Sequence, residues 1–145
     1  NLKIIIPESN KTTGNIGIEY LIFKYRLNIY AEHFHKIEHN LLGLPGSKIT
    51  DIKNVLSHAQ GLSQCSNFIK KNNLIENVRA DTAGSAEFIS RNKEISNSAI
   101  ASKLSAKIYN LDVIASNIEN EKGNTTRFLI MGKSIHQPDL KKKNI

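Results

Sequence analysis

The feature that most constrains this chain is an alternation. Short β-branched and apolar runs are separated by stretches whose apolar residues recur at helical spacing. Residues 2–6, 28–34, 40–44, 55–56, 77–80, 111–115 and 125–131 read as strands, punctuated by Pro7, Pro45-Gly46 and Gly123. Ile18, Leu21, Ile22 and Tyr25 mark an amphipathic helix over residues 16–27. Leu62, Cys65, Phe68 and Ile69 mark a second over 59–71, whose basic last turn suits the negative end of the helix dipole. Asp81 or Thr82 caps a third that carries Ala83, Ala86 and Ile89, and Ile100, Leu104 and Ile108 place a fourth over 98–109. Residues 49–54 read as one short helix more. Strands alternating with helices predict an α/β chain with a largely parallel sheet. In such sheets ligands bind beyond the carboxyl ends of the strands, beside helix N-termini.

Composition narrows the classes. A 39% apolar and 23% charged chain of 145 residues builds a core rather than staying disordered. No apolar run approaches the roughly 20 residues a membrane helix needs, so no membrane partner is expected. The single Cys65 excludes an internal disulfide and any multi-cysteine zinc motif. The net charge of +7 invites nucleic acid. Arginine, the residue suited to forked phosphate and base contacts, occurs only at positions 26, 79, 91 and 127. Solvated surface charge is the better reading, with no nucleic-acid partner and a cytoplasmic location. Strand alternation would put His33 and His35 on one face, but spacing fixes no third ligand, so no metal is expected. The chain opens without Met or a basic leader, almost inside a strand, and is expected to be N-terminally incomplete. Residues 1–133 are expected to form the domain and 134–145 a polar, basic, disordered tail.

Polar clusters at residues 7–14, 57–64 and 81–85 fall where strands give way to helices, and a fourth at 124–127 enters the last strand. Their placement points to a site for an anionic small molecule. Asn124-Thr125-Thr126-Arg127-Phe128 resembles the Asn-x-Thr-Arg-Phe signature of prephenate dehydratase catalytic domains. The stretch from Ser57-His58-Ala59-Gln60-Gly61-Leu62 to Gln64-Cys65 is similar to that family's Ser-His-Pro-Gln-Ala-Leu-x-Gln-Cys pattern. Ile37-Glu38-His39-Asn40-Leu41 resembles its Ile-x-His-x-Leu stretch, and Thr82-Ala83 with Ala86 its Ser-Thr-Ala-x-Ala-Ala helix start. Two departures stand out. Pro7-Glu8-Ser9-Asn10-Lys11 replaces the family's Pro-Ile-Glu-Asn-Ser, and Asp81 stands where the family has Ser.

The resemblance implies a two-lobed α/β architecture like that of periplasmic binding proteins. The second lobe would be nearly complete and the first represented mainly by its connecting strands. It implies a carbon–oxygen lyase that turns prephenate into phenylpyruvate in L-phenylalanine biosynthesis, without a cofactor, as a homodimer or larger homo-oligomer. Thr126 would be catalytic, helping the ring hydroxyl depart. Asn10, Ser57, Gln64, Thr82, Ala83 and Arg127 would bind substrate. The alternative is a relative that binds an aromatic carboxylic acid without turnover. Neighbours on a strand point to opposite faces, so Thr126 and Arg127 are not expected to face one way unless the strand bulges, and Arg127 could instead tie the lobes together. Cys65 shares the apolar face of Leu62 and Phe68 and is expected in the core, and His58 is expected to be packed rather than a general base.

Overall fold

A computed structural model describes residues 4–7 and 18–133. The elements in chain order are β1 (Ile4–Pro7), α1 (Ile18–Tyr25), β2 (Asn28–Lys36), β3 (Asn40–Gly43), a 3-10 turn (Ile49–Asp51), β4 (Asn54–Ser57), α2 (Ala59–Gln64) and α3 (Ser66–Lys71). Then follow β5 (Ile75–Val78), α4 (Thr82–Asn92), β6 (Asn97–Ala101), α5 (Lys103–Tyr109), β7 (Asp112–Ala115) and β8 (Thr125–Gly132). Two compact units result: Asn1–Lys36 with Thr125–Ile145, and Ile37–Asn124. Among the described residues no helix is long and apolar enough to cross a membrane.

The first unit is a three-stranded antiparallel sheet in the order β1-β8-β2. Period two decides its faces: Leu129 and Met131 turn inward with Leu27, and Ile22 of α1 packs on them. Thr126 and Phe128 therefore point to the other face. The register sets His35 opposite Thr126, Phe34 opposite Arg127 and Glu32 opposite Leu129.

The second unit holds a five-stranded sheet in the order β5-β4-β6-β3-β7. Strands β5, β4 and β6 are parallel, while β3 runs antiparallel to both β6 and β7. The sheet is thus mixed, not largely parallel as the alternation suggests. Each face carries its own core. Leu41, Val55 and Ile100 pack with Leu62, Cys65 and Ile69 of the α2–α3 stretch. Leu42, Ala99 and Ala101 pack with Ala86 and Ile89 of α4 and Ala106 of α5.

Two helix expectations need correction. Residues 97–101 form the central strand β6, buried at every position, and not the first turns of a helix. The spacing of Ile100, Leu104 and Ile108 misleads, because Leu104 and Ile108 are about two-thirds exposed while Ser105 and Ala106 face the core. A strand covered on both faces loses its polar–apolar alternation, and small residues suit the close approach of two helical layers. The expected helix over residues 59–71 is two short helices broken at Cys65, whose backbone leaves the helical region at φ −115° and ψ 15°. The expected strand at 77–80 forms slightly earlier, as β5.

Candidate functional site

In the second unit β4 ends at Ser57, which is fully buried. Its hydroxyl donates to the Ile100 carbonyl on β6 at 2.9 Å. The chain then turns into α2, whose N-cap is the exposed His58, with Nδ1 accepting from the Gln60 N–H. His58 is thus a surface cap, not the packed side chain the sequence suggests. Gly61, one turn into α2, lets that helix sit hard against the strand end. A Cβ there would lie 2.9 Å from Ser57 Oγ and 3.7 Å from Thr82 Cγ2. Ser57 and Gly61, joined by one tight turn, are therefore neighbours of Thr82, which packing brings in from the start of α4.

Thr82 and Ala83 open α4, Thr82 half-buried and Ala83 exposed. The carboxylate of Asp81 caps this helix, accepting from the Gly84 N–H at 2.5 Å, and the Ser85 hydroxyl donates to the Asp81 carbonyl. A negative group therefore already sits on the positive end of α4, which opposes an anion arriving at the same place.

Gln64 ends α2. Its Oε1 is 2.7 Å from Nε2 of His39, which lies just before β3 and is 8% exposed. The segment after β7 is laced to both residues. Ile118 N–H donates to the His39 carbonyl, His39 N–H to Glu119 Oε2 and Asn120 N–H to the Gln64 carbonyl. The Asn120 amide also donates to the Ser63 carbonyl and Ser66 Oγ, and its Oδ1 accepts from the Asn67 N–H, bracing the break between α2 and α3. A cavity of about 410 Å3 lies here, with Gln64, Glu119, Lys122 and Asn124 in its wall. The Asn124 carbonyl accepts from Ile37 N–H at 2.8 Å, just before β8 begins.

In the first unit Thr126 is half-buried near the start of β8, facing the same way as His35. Arg127 points to the opposite face, as period two requires. Its Nε and a terminal nitrogen lie 2.8 and 2.7 Å from Glu32 Oε2, an ion pair within the same unit. Asn10, Ser9 and Lys11 lie outside the described residues.

Cys65 is fully buried and its thiol is pushed up to about 12, chiefly by desolvation and further by the nearby Glu119 carboxylate. It stays a protonated core residue and not a nucleophile. The rings of His33 and His35 stack 6.5 Å apart, and no group of three or more His, Cys, Asp or Glu is placed to hold a metal among the described residues. The sequence reading missed the His39–Gln64 pair and the bracing by Glu119 and Asn120. His39 was visible only as part of a motif, and nothing in the spacing signals a contact 80 residues away.

The family model for prephenate dehydratase matches residues 2–136. The Arabidopsis thaliana protein named arogenate dehydratase/prephenate dehydratase 1, chloroplastic, is 44% identical over 90% of this chain and 34% of its own. A solved structure described as GqqA, a novel type of quorum quenching acylase, aligns with a TM-score of 0.80 at 32% identity, covering 93% of this chain and 49% of that one. The prephenate dehydratase of Staphylococcus aureus aligns with a TM-score of 0.78 at 26% identity, over 92% of this chain and 51% of that one. The chain thus spans a third to a half of the length of these relatives.

Proposed function

Since the chain belongs to the prephenate dehydratase family, we propose that it serves the decarboxylating dehydration of prephenate to phenylpyruvate, a carbon–oxygen lyase step of L-phenylalanine biosynthesis. In that reaction the bond from the ring to its carboxylate breaks and carbon dioxide leaves. The electron pair moves through the cyclohexadiene and breaks the bond to the 4-hydroxyl, which gains a proton and departs as water. Formation of the aromatic ring supplies the driving force. The protein's tasks are orientation and help for the departing oxygen, and neither task calls for a cofactor.

Thr126 is assigned the second task. Its hydroxyl donates to the leaving oxygen as negative charge gathers there, in the manner of an oxyanion hole. One observation carries this assignment: Thr126 is half-buried on the face of β8 turned away from the Leu129–Met131 core, so its hydroxyl is not spent on packing. Asn10, Ser57, Gln64, Thr82, Ala83 and Arg127 are proposed to hold the two carboxylates and the ring hydroxyl. The protein would work in the cytoplasm as a homodimer or larger homo-oligomer, although the plant relative's name places that protein in the chloroplast.

A second reading has its own support. The Ser57 hydroxyl is already given to Ile100 and the Arg127 guanidinium to Glu32, which leaves fewer groups to drive a reaction. On that reading the chain binds an aromatic carboxylic acid without turnover. Mixing the protein with prephenate at neutral pH and following phenylpyruvate separates the two. Turnover that vanishes in Thr126→Ala, with the melting temperature unchanged, supports the enzyme. Binding without phenylpyruvate supports the second reading, and turnover by Thr126→Ala at the parent rate overturns the role given to Thr126.

A further inference from the structure

We propose that His39 is a positioning residue that sets the polarity of Gln64, so that Gln64 meets its ligand as a hydrogen-bond donor. The inference rests on the reading of Gln64 as a substrate-binding residue and adds what holds it and which end of its amide it offers. An amide oxygen only accepts, so the 2.7 Å contact requires the hydrogen on Nε2 of the His39 ring. With Oε1 occupied, the two hydrogens on the Gln64 nitrogen are what remains, and among the described residues no protein group takes them. Two N–H donors suit an oxygen of a carboxylate or a hydroxyl, the groups that an oxygen-rich anion carries.

The contact itself is held in place, because moving the ring away is opposed by its surroundings. His39 is nearly buried, its backbone N–H is held by Glu119 and its carbonyl by Ile118. Gln64 is anchored through its own carbonyl by Asn120. An unrestrained glutamine has several rotatable bonds and two equivalent amide orientations, so it would lose more freedom on binding. His39 spends that freedom in advance.

Calorimetric titration of the chain with prephenate at neutral pH tests this. Expected is a loss of affinity of roughly five- to tenfold in His39→Ala, the worth of about one hydrogen bond. Gln64→Ala should lose a similar amount, and the double variant no more than either alone. His39→Gln, which can place an N–H near the position of Nε2, should recover most of the affinity. Nitrogen NMR of the parent should show His39 protonated at Nε2, a readout that needs neither substrate nor a folded variant. Parent-like affinity in His39→Ala, additive losses in the double variant, or an Nδ1-protonated ring overturns the inference and leaves Gln64 as a binding residue. Parent-like affinity in Gln64→Ala, or a parent that does not bind prephenate, removes the reading of Gln64 and this inference with it.

Discussion

Gly61→Ala should destabilise the protein although it replaces glycine with the best helix former. In a helix interior the exchange gains up to about 1 kcal/mol. Here the new methyl would stand 2.9 Å from Ser57 Oγ, too close for both atoms to stay. The hydroxyl is the softer of the two and must swing away, giving up its 2.9 Å bond to Ile100 in a place without access to water. The lost bond costs about 1 kcal/mol, and polar atoms left unpaired in the interior cost about 1–3 kcal/mol more. The net expectation is a loss of roughly 1–3 kcal/mol, several degrees in melting temperature for a chain of this size. The sign should reverse once the hydroxyl is gone. In a Ser57→Ala background the next nearest atoms to the methyl are the residue 57 Cβ and Thr82 Cγ2, both at 3.7 Å, ordinary contact distance. Gly61→Ala should then stabilise, so the coupling between the two positions is at least about 2 kcal/mol. Urea melts of the parent, both single variants and the double variant measure it. Stabilisation by Gly61→Ala in both backgrounds, with coupling below about 0.5 kcal/mol, would refute the close packing of α2 on the strand end.

Leu41→Ala, at a fully buried position of β3, should cost about 2–5 kcal/mol by urea titration, whereas Leu104→Ala on the exposed side of α5 should stay within about 0.5 kcal/mol. Equal losses would contradict the exposed placement of Leu104 on α5. Cys65 should resist iodoacetamide in the native protein at pH 8 and react promptly in denaturant, and rapid native labelling would contradict its burial. Because its folded value is raised to about 12 from an ordinary 9, the unfolded thiol ionises first. The stability held below pH 9 should therefore fall between pH 9 and about 12, an effect that Cys65→Ala removes. Glu32→Gln should cost less than about 1 kcal/mol, since both partners of its pair with Arg127 are over two-fifths exposed. A loss above 2 kcal/mol, read from the urea midpoint, would mean that the pair is desolvated.

What the sequence determined by itself was the class of the chain and the identity of its polar clusters. Helix and strand periodicities are local, and so are the caps and turns that bound them. The α/β class, most strands and the start of α4 were therefore legible, as were the motifs that carry the family. The pairing of strands was not. The antiparallel entry of β3 beside β6 depends on how two hydrophobic faces close around a sheet, and strand direction leaves no trace in a buried run such as residues 97–101. The destinations of the polar side chains were equally hidden. Ser57 turned to Ile100, Arg127 to Glu32 and His39 to Gln64, each choosing a partner distant in sequence that only packing brought within 3 Å. A motif says which groups are present. For the buried Ser57 the direction is settled by the nearest acceptor, because an unpaired polar atom in the interior costs more than a hydrogen bond to ligand would return. For the partly exposed Arg127 it is settled by the charge of Glu32 on the neighbouring strand.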